Sequence, residues 1–155
     1  MVQVGQEAPN FTLKNTNHDE VTLSELKGQN VVLAFYPAAF TGVCETELCT
    51  FRDNLSAFNN SNAVVFGISV DSPFANAGFK AKNDLNFQLL SDYTRSTVTA
   101  YGIALPNFAG MPGYTASERA VFVVDATGNI AYRWVGENPG VEPNYDEVAA
   151  AVAKL

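Results

Sequence analysis

Two continuous apolar runs, VVLAFY at 31–36 and AVVFGISV at 63–70, constrain this chain more than any other feature. Both are rich in β-branched and aromatic residues and lack polar alternation, the pattern of a strand covered on both faces. After each run the period changes. Val43, Leu48, Phe51, Leu55 and Phe58 fall on one broad face of a helix that runs from Gly42 to about Asn59. Behind the second run, Asp71 or Ser72 can cap a helix and Pro73 fits its first turn.

Around these two units the signals are weaker. Residues 11–14 and 20–23 alternate about a turn and read as a hairpin, after which Ser24 can cap a short helical turn closed by Gly28. FQLLSD is a short strand, followed by a helix near 93–101. RAVFVVDATGNIAYRWVG reads as two strands joined at 126–129, and 143–155 as a terminal helix. Strands alternating with helices, then a hairpin, then a helix, imply an α/β three-layer sandwich around a mixed sheet. Residues 104–117 have no clear period and form a connection longer than most, a frequent place for function. Trp134, Tyr132 and Tyr145 are expected as core or interface aromatics.

The chain has 155 residues, of which 47% are hydrophobic and 16% charged, a balance that supports a packed core. No repeat or linker divides it, so a single domain over 1–155 is expected. The net charge of −7 argues against a nucleic-acid surface or an anionic membrane partner. No apolar run approaches the ~20 residues of a membrane span. The first residues lack the basic and apolar segments of a signal peptide, so a cytoplasmic location is expected.

The two cysteines, Cys44 and Cys49, both lie in the segment YPAAFTGVCETELCTFRD. Cys44 falls where a buried strand gives way to a helix, in the first turn. Backbone N–H groups are unpaired there and the helix dipole favours an anion such as a thiolate. Ligands of open α/β sheets bind just beyond the carboxyl ends of strands, which is this position. On an ideal helix, residues five apart lie on the order of 8–9 Å between Cα atoms, beyond the ~7 Å reach of a disulfide. A Cys44–Cys49 bond therefore needs the first turns of the helix to unwind. Thr41 stands where a thioredoxin-type site would carry its other cysteine, and offers a hydroxyl instead. His18, the single histidine, lies in a turn, and two thiols with one distant histidine make no zinc site.

The segment resembles the peroxiredoxin family. Its motif, Pro-x-x-x-Thr-x-x-Cys, is matched by Pro37, Thr41 and Cys44, and Glu47 matches a frequent family residue. The family's distant arginine opens a late strand, and ERAVFVVD supplies it as Arg119. The likeness runs from GQEAPNFTL through LLSD and YGI to VFVVDATGNI. The five-residue cysteine spacing is similar to the peroxiredoxin Q, or bacterioferritin comigratory, type. YPAAFTGVC is also similar to the alkyl hydroperoxide reductase E type.

The resemblance implies a thioredoxin-like fold and a thiol peroxidase acting on hydrogen peroxide and organic hydroperoxides. Cys44 would be the peroxidatic residue, Thr41 and Arg119 would orient the peroxide, Pro37 would shield the sulfur from water, and Glu47 would hold Arg119. Cys49 would resolve the sulfenic acid as an intrachain disulfide, with a thioredoxin-like or other dithiol as reductant. The sulfur carries the redox change, so no cofactor or metal is implied. The alternatives are a one-cysteine enzyme resolved by an external thiol, or a non-peroxidase redox protein on the same fold. A homodimer is expected, with Tyr36, Phe40 and the 104–117 loop as its apolar surface and that loop rimming the site.

Overall fold

The computed structural model describes residues 2–155. Strands β1 (Thr12–Asn15) and β2 (Glu20–Thr22) form the expected hairpin. A 3-10 turn, Leu23–Leu26, leads into β3 (Asn30–Phe35). Ser24 lies inside that turn rather than capping it. Thr22 is the N-cap, and the Ser24 amide donates to Asn10 Oδ1 at 2.9 Å.

The helix behind β3 is broken in two, α1 (Gly42–Asp53) and α2 (Leu55–Asn60). The apolar face continues across the break, which is why the sequence reads as one helix. Asn54 stops it: its backbone N–H and side-chain amide both donate to the Thr50 carbonyl, the second at 2.8 Å. A short polar side chain of this kind offers the backbone an alternative to the helical ladder.

Strand β4 (Ala63–Ser69) is followed by α3 (Pro73–Lys82), capped by Ser72, whose Oγ accepts from the Ala75 amide at 3.1 Å. Next come β5 (Gln88–Ser91) and α4 (Ser96–Ala100), shorter than the helix expected near 93–101. Residues 104–117 are not irregular throughout. Two-residue strands β6 (Ala104–Leu105) and β7 (Ala116–Ser117) pair antiparallel and tie the segment off. The last elements are β8 (Ala120–Val124), β9 (Ile130–Val135) and α5 (Tyr145–Ala153).

Among the described residues, seven strands form one sheet in the order β2-β1-β5-β4-β3-β8-β9. Strand β3 lies inside the sheet, parallel to β4 and antiparallel to β8. Its alternation divides the core. Val31, Leu33 and Phe35 enter the layer that holds Val98 of α4, and Val32, Ala34 and Tyr36 the layer under α1, α2, α3 and α5. This is the thioredoxin-like three-layer sandwich around a mixed sheet. Cys44 belongs to the second layer, whereas Phe108 and Tyr114 of the 104–117 loop pack on the first. Trp134, Tyr132 and Tyr145 are partly buried against the second layer. His18 is exposed, its ring 4.9 Å from that of Phe74. Among the described residues, no helix is long and apolar enough to cross a membrane.

Candidate active site

Strand register explains how distant residues meet. Phe35, the last residue of β3, pairs with Ala120, the first of β8. Arg119 therefore stands beside the carboxyl end of β3, next to the loop 37–41 from which α1 starts. Cys44 is the third residue of α1, and Glu47 follows one turn later on the same inward face.

The three side chains are buried together, Cys44 and Glu47 at 0% exposure and Arg119 at 2%. Arg119 Nη2 lies 3.2 Å from Cys44 Sγ and Nη1 donates to Glu47 Oε1 at 2.9 Å. The Pro139 carbonyl accepts from Arg119 Nε at 2.9 Å and from Nη2 at 2.8 Å. The guanidinium is thus fixed in its plane with one edge on the sulfur. Burial lowers the affinity of Arg119 for its proton, but Glu47 and Cys44 outweigh it and raise the pKa above the ordinary value. Burial pushes the Glu47 carboxyl up to about 8, against the pull of Arg119. Among the described residues, Glu47 Oε2 has no hydrogen-bond partner.

The other expected residues make their contacts outside this cluster. Pro37 is buried in the loop between β3 and α1. Thr41 is the N-cap residue of α1 and is exposed, with its hydroxyl donating to the Ala38 carbonyl at 2.9 Å rather than capping the helix. Cys49 is half-buried and its thiol faces Asn83 Oδ1 at 3.6 Å. Both cysteines are free thiols on an unbroken α1. The 104–117 loop approaches the site through its paired ends. Leu105 lines a cavity of about 270 Å³ with Arg119, Glu118 and Pro139.

Sequence reasoning missed several residues here. The Pro139 carbonyl is a backbone acceptor and leaves no side-chain signature. Of the two cap candidates Ser72 caps, and the Asp71 carboxylate instead accepts from the Ala39 amide at 2.8 Å. Asn83 has no motif around it at all. Tyr36, expected on a dimer surface, is 0% exposed, because as the residue after β3 it continues the inward alternation.

The arrangement is a buried thiol held against a fixed cation at the start of a helix. Comparison with known proteins agrees with this chemistry. The model of the AhpC/TSA family matches residues 4–133. A putative peroxiredoxin bcp of Coxiella burnetii is 39% identical over 133 residues, spanning 86% of this chain and 88% of the relative. The crystal structure of peroxidoxin BcpB from Mycobacterium tuberculosis superposes with a TM-score of 0.88 at 26% identity, covering 100% of this chain and 99% of that one. A structure of Xanthomonas campestris bacterioferritin comigratory protein, described for its alkyl peroxide reduction activity, gives 0.84 at 25% identity over 98% of both chains. A matching core motif, a shared fold and this identity over most of both lengths leave one assignment: the chain belongs to the AhpC/TSA family and is a peroxiredoxin.

Proposed function

We propose that this thiol-dependent peroxidase works through Cys44 as the peroxidatic residue and Cys49 as the resolving one. The observation that carries the reading is Arg119 Nη2 at 3.2 Å from Cys44 Sγ, in a site otherwise closed to water. A cation there stabilises the thiolate and then the charge that develops on the departing oxygen.

In the first step the Cys44 thiolate attacks one peroxide oxygen. An S–O bond forms as the O–O bond breaks, and the sulfur is oxidised to a sulfenic acid. The other oxygen leaves as hydroxide or alkoxide and takes up a proton. Arg119 and the Thr41 hydroxyl orient the peroxide, Pro37 keeps bulk water from the sulfur, and Glu47 with the Pro139 carbonyl fixes Arg119. In the second step Cys49 attacks the Cys44 sulfur, forming an S–S bond and releasing water. A dithiol, of thioredoxin type, then reduces the disulfide.

The substrates are hydrogen peroxide and organic hydroperoxides, the second supported by the alkyl peroxide reduction of the Xanthomonas relative. Residues 1–155 act as one domain. Two free thiols suit the reducing cytoplasm, where disulfides form only in passing. The chain assembles as a homodimer, supported by the half-exposed Phe40 and Met111. Sedimentation at micromolar concentration showing one chain mass alone refutes that assembly.

Peroxide consumption with a dithiol reductant tests the core of the reading. Cys44→Ser abolishes it, and Arg119→Met slows it by roughly 10²–10³, the loss typical of removing one preorganised donor. Equal rates for wild type and Cys44→Ser overturn the assignment. Mass spectrometry of the oxidised chain shows a Cys44–Cys49 disulfide. If Cys49 instead stays alkylatable while Cys44 accumulates as sulfenic or sulfinic acid, the enzyme is of the one-cysteine kind.

A further inference from the structure

Beneath the loop 37–41 lies a buried polar network that the steps above do not use. Tyr36, Ser69 and Asn76 are each 0% exposed. The Tyr36 hydroxyl donates to Asn76 Oδ1 at 2.8 Å. The Ser69 hydroxyl lies 3.3 Å from the same oxygen and 2.8 Å from Asp71 Oδ2. That carboxylate oxygen also accepts from the Ala39 amide at 2.8 Å. Asp71 is itself held at its backbone, its amide donating to Ser69 Oγ at 3.2 Å and its carbonyl accepting from Ser91 Oγ at 2.6 Å.

Burying a phenol, a hydroxyl and an amide costs free energy that apolar side chains of the same size would avoid. The network gathers the ends of β3, β4 and β5 with α3, and its outermost acceptor reaches the amide of one residue in the middle of the loop. The next residue, Phe40, has φ of 64°, a left-handed conformation that a bulky aromatic residue adopts only under constraint. The Phe40 ring is held in turn, 5.4 Å from that of Phe79 and 5.7 Å from Lys82 Nζ. Thr41 and the first turn of α1 follow directly.

We propose that Asp71 is a positioning residue for peroxide reduction. Its carboxylate holds the Ala39 amide, keeps residue 40 in its strained conformation, and so sets Thr41 and the first turn of α1 against Arg119. This rests on Cys44 and Thr41 being the reacting pair of the site. Misplacement by about 1 Å can cost on the order of 10²-fold in rate without loss of the fold.

The experiment measures two reactions of Cys44 in the full chain: oxidation by hydrogen peroxide, which needs the oriented site, and alkylation by iodoacetamide, which needs only an accessible thiolate. Asp71→Ala is expected to slow the peroxide reaction by roughly 10- to 100-fold while alkylation changes no more than about twofold. Asp71→Asn keeps an acceptor oxygen for the Ala39 amide and is expected within about fivefold of wild type. Should Asp71→Ala fail to fold, Ser69→Ala removes one donor from the carboxylate and gives the same selective loss at roughly threefold. A peroxide rate within twofold of wild type in Asp71→Ala, an equal fall in both reactions, or an Asp71→Asn variant as slow as Asp71→Ala overturns the proposal. Cys44→Ser run alongside separates the two readings. If it still consumes peroxide, the reading of Cys44 falls; if it is inactive while Asp71→Ala is normal, only the Asp71 proposal falls.

Discussion

Arg119 faces two acidic groups at once. Its Nη1 faces Glu47 and its Nη2 faces Cys44, 2.9 and 3.2 Å away. Burial raises Glu47 to about 8 from an ordinary 4.5, so near neutrality the carboxyl keeps its proton in the folded chain. The guanidinium charge is then left for the sulfur. The same shift has a stability consequence. Between pH 4.5 and 8 the unfolded chain releases this proton and the folded chain does not. The unfolded state binds fewer protons there, so stability present below the lower value is lost as pH rises through the upper one. Glu47→Gln cannot titrate but keeps an oxygen for Arg119. Urea unfolding at the two ends of the window is expected to show wild type losing stability with pH more steeply than the variant. Parallel profiles would mean that Glu47 is ionised throughout.

At the scale of elements, α1 is held along its length by the end of α3. Lys82 donates to Glu45 Oε1 at 2.8 Å and stands over the Phe40 ring, while Asn83 meets Cys49 through its side chain and accepts from Arg52 through its carbonyl. In the proposed mechanism these contacts part before α1 unwinds and brings Cys49 to the sulfenic acid. Each is exposed or half-exposed. Replacing Lys82 by Met and Asn83 by Ala together is expected to speed disulfide formation by roughly two- to fivefold, with sulfenic acid formation unchanged. No acceleration in rapid-quench mass spectrometry would show that opening is limited elsewhere. None of this is written in the motif. Pro37, Thr41 and Cys44 can be read from the sequence because they match the spaced motif of the family it resembles, and Arg119 because it opens a late strand as in that family. The strands can be read because apolar β-branched runs have few alternatives in a packed sheet. The break at Asn54 is hidden by an apolar face that continues through Leu55 and Phe58. The β6–β7 pair is hidden because two residues are too few to show a period. Asp71, Asn83 and the Pro139 carbonyl act through contacts between elements far apart in sequence, which only the sheet order brings together.

For the molecule as a whole, the two core layers are separated by a sheet with little spare volume at its centre. Gly67 sits in β4 between Ala34 of β3 and Leu89 of β5. A Cβ added there would lie 2.6 Å from Leu89 Cδ2, 3.3 Å from Tyr36 Cε1 and 3.6 Å from Leu48 Cδ1. All three neighbours are 0% exposed, so none can swing into solvent to make room. The position is therefore a close approach of a strand to α1 and to the residue that begins the buried polar network. One methyl group would press on both supports of the site: Leu48, one turn beyond Cys44, and Tyr36, hydrogen-bonded to Asn76. Gly67→Ala is expected to destabilise the chain by about 1–3 kcal/mol, the usual cost of overpacking a filled core. It should also slow peroxide oxidation of Cys44 while the pairing of β3, β4 and β5 survives. Urea unfolding with a midpoint equal to that of wild type would show that Leu89 can move aside, and that the sheet does not transmit its packing to the site.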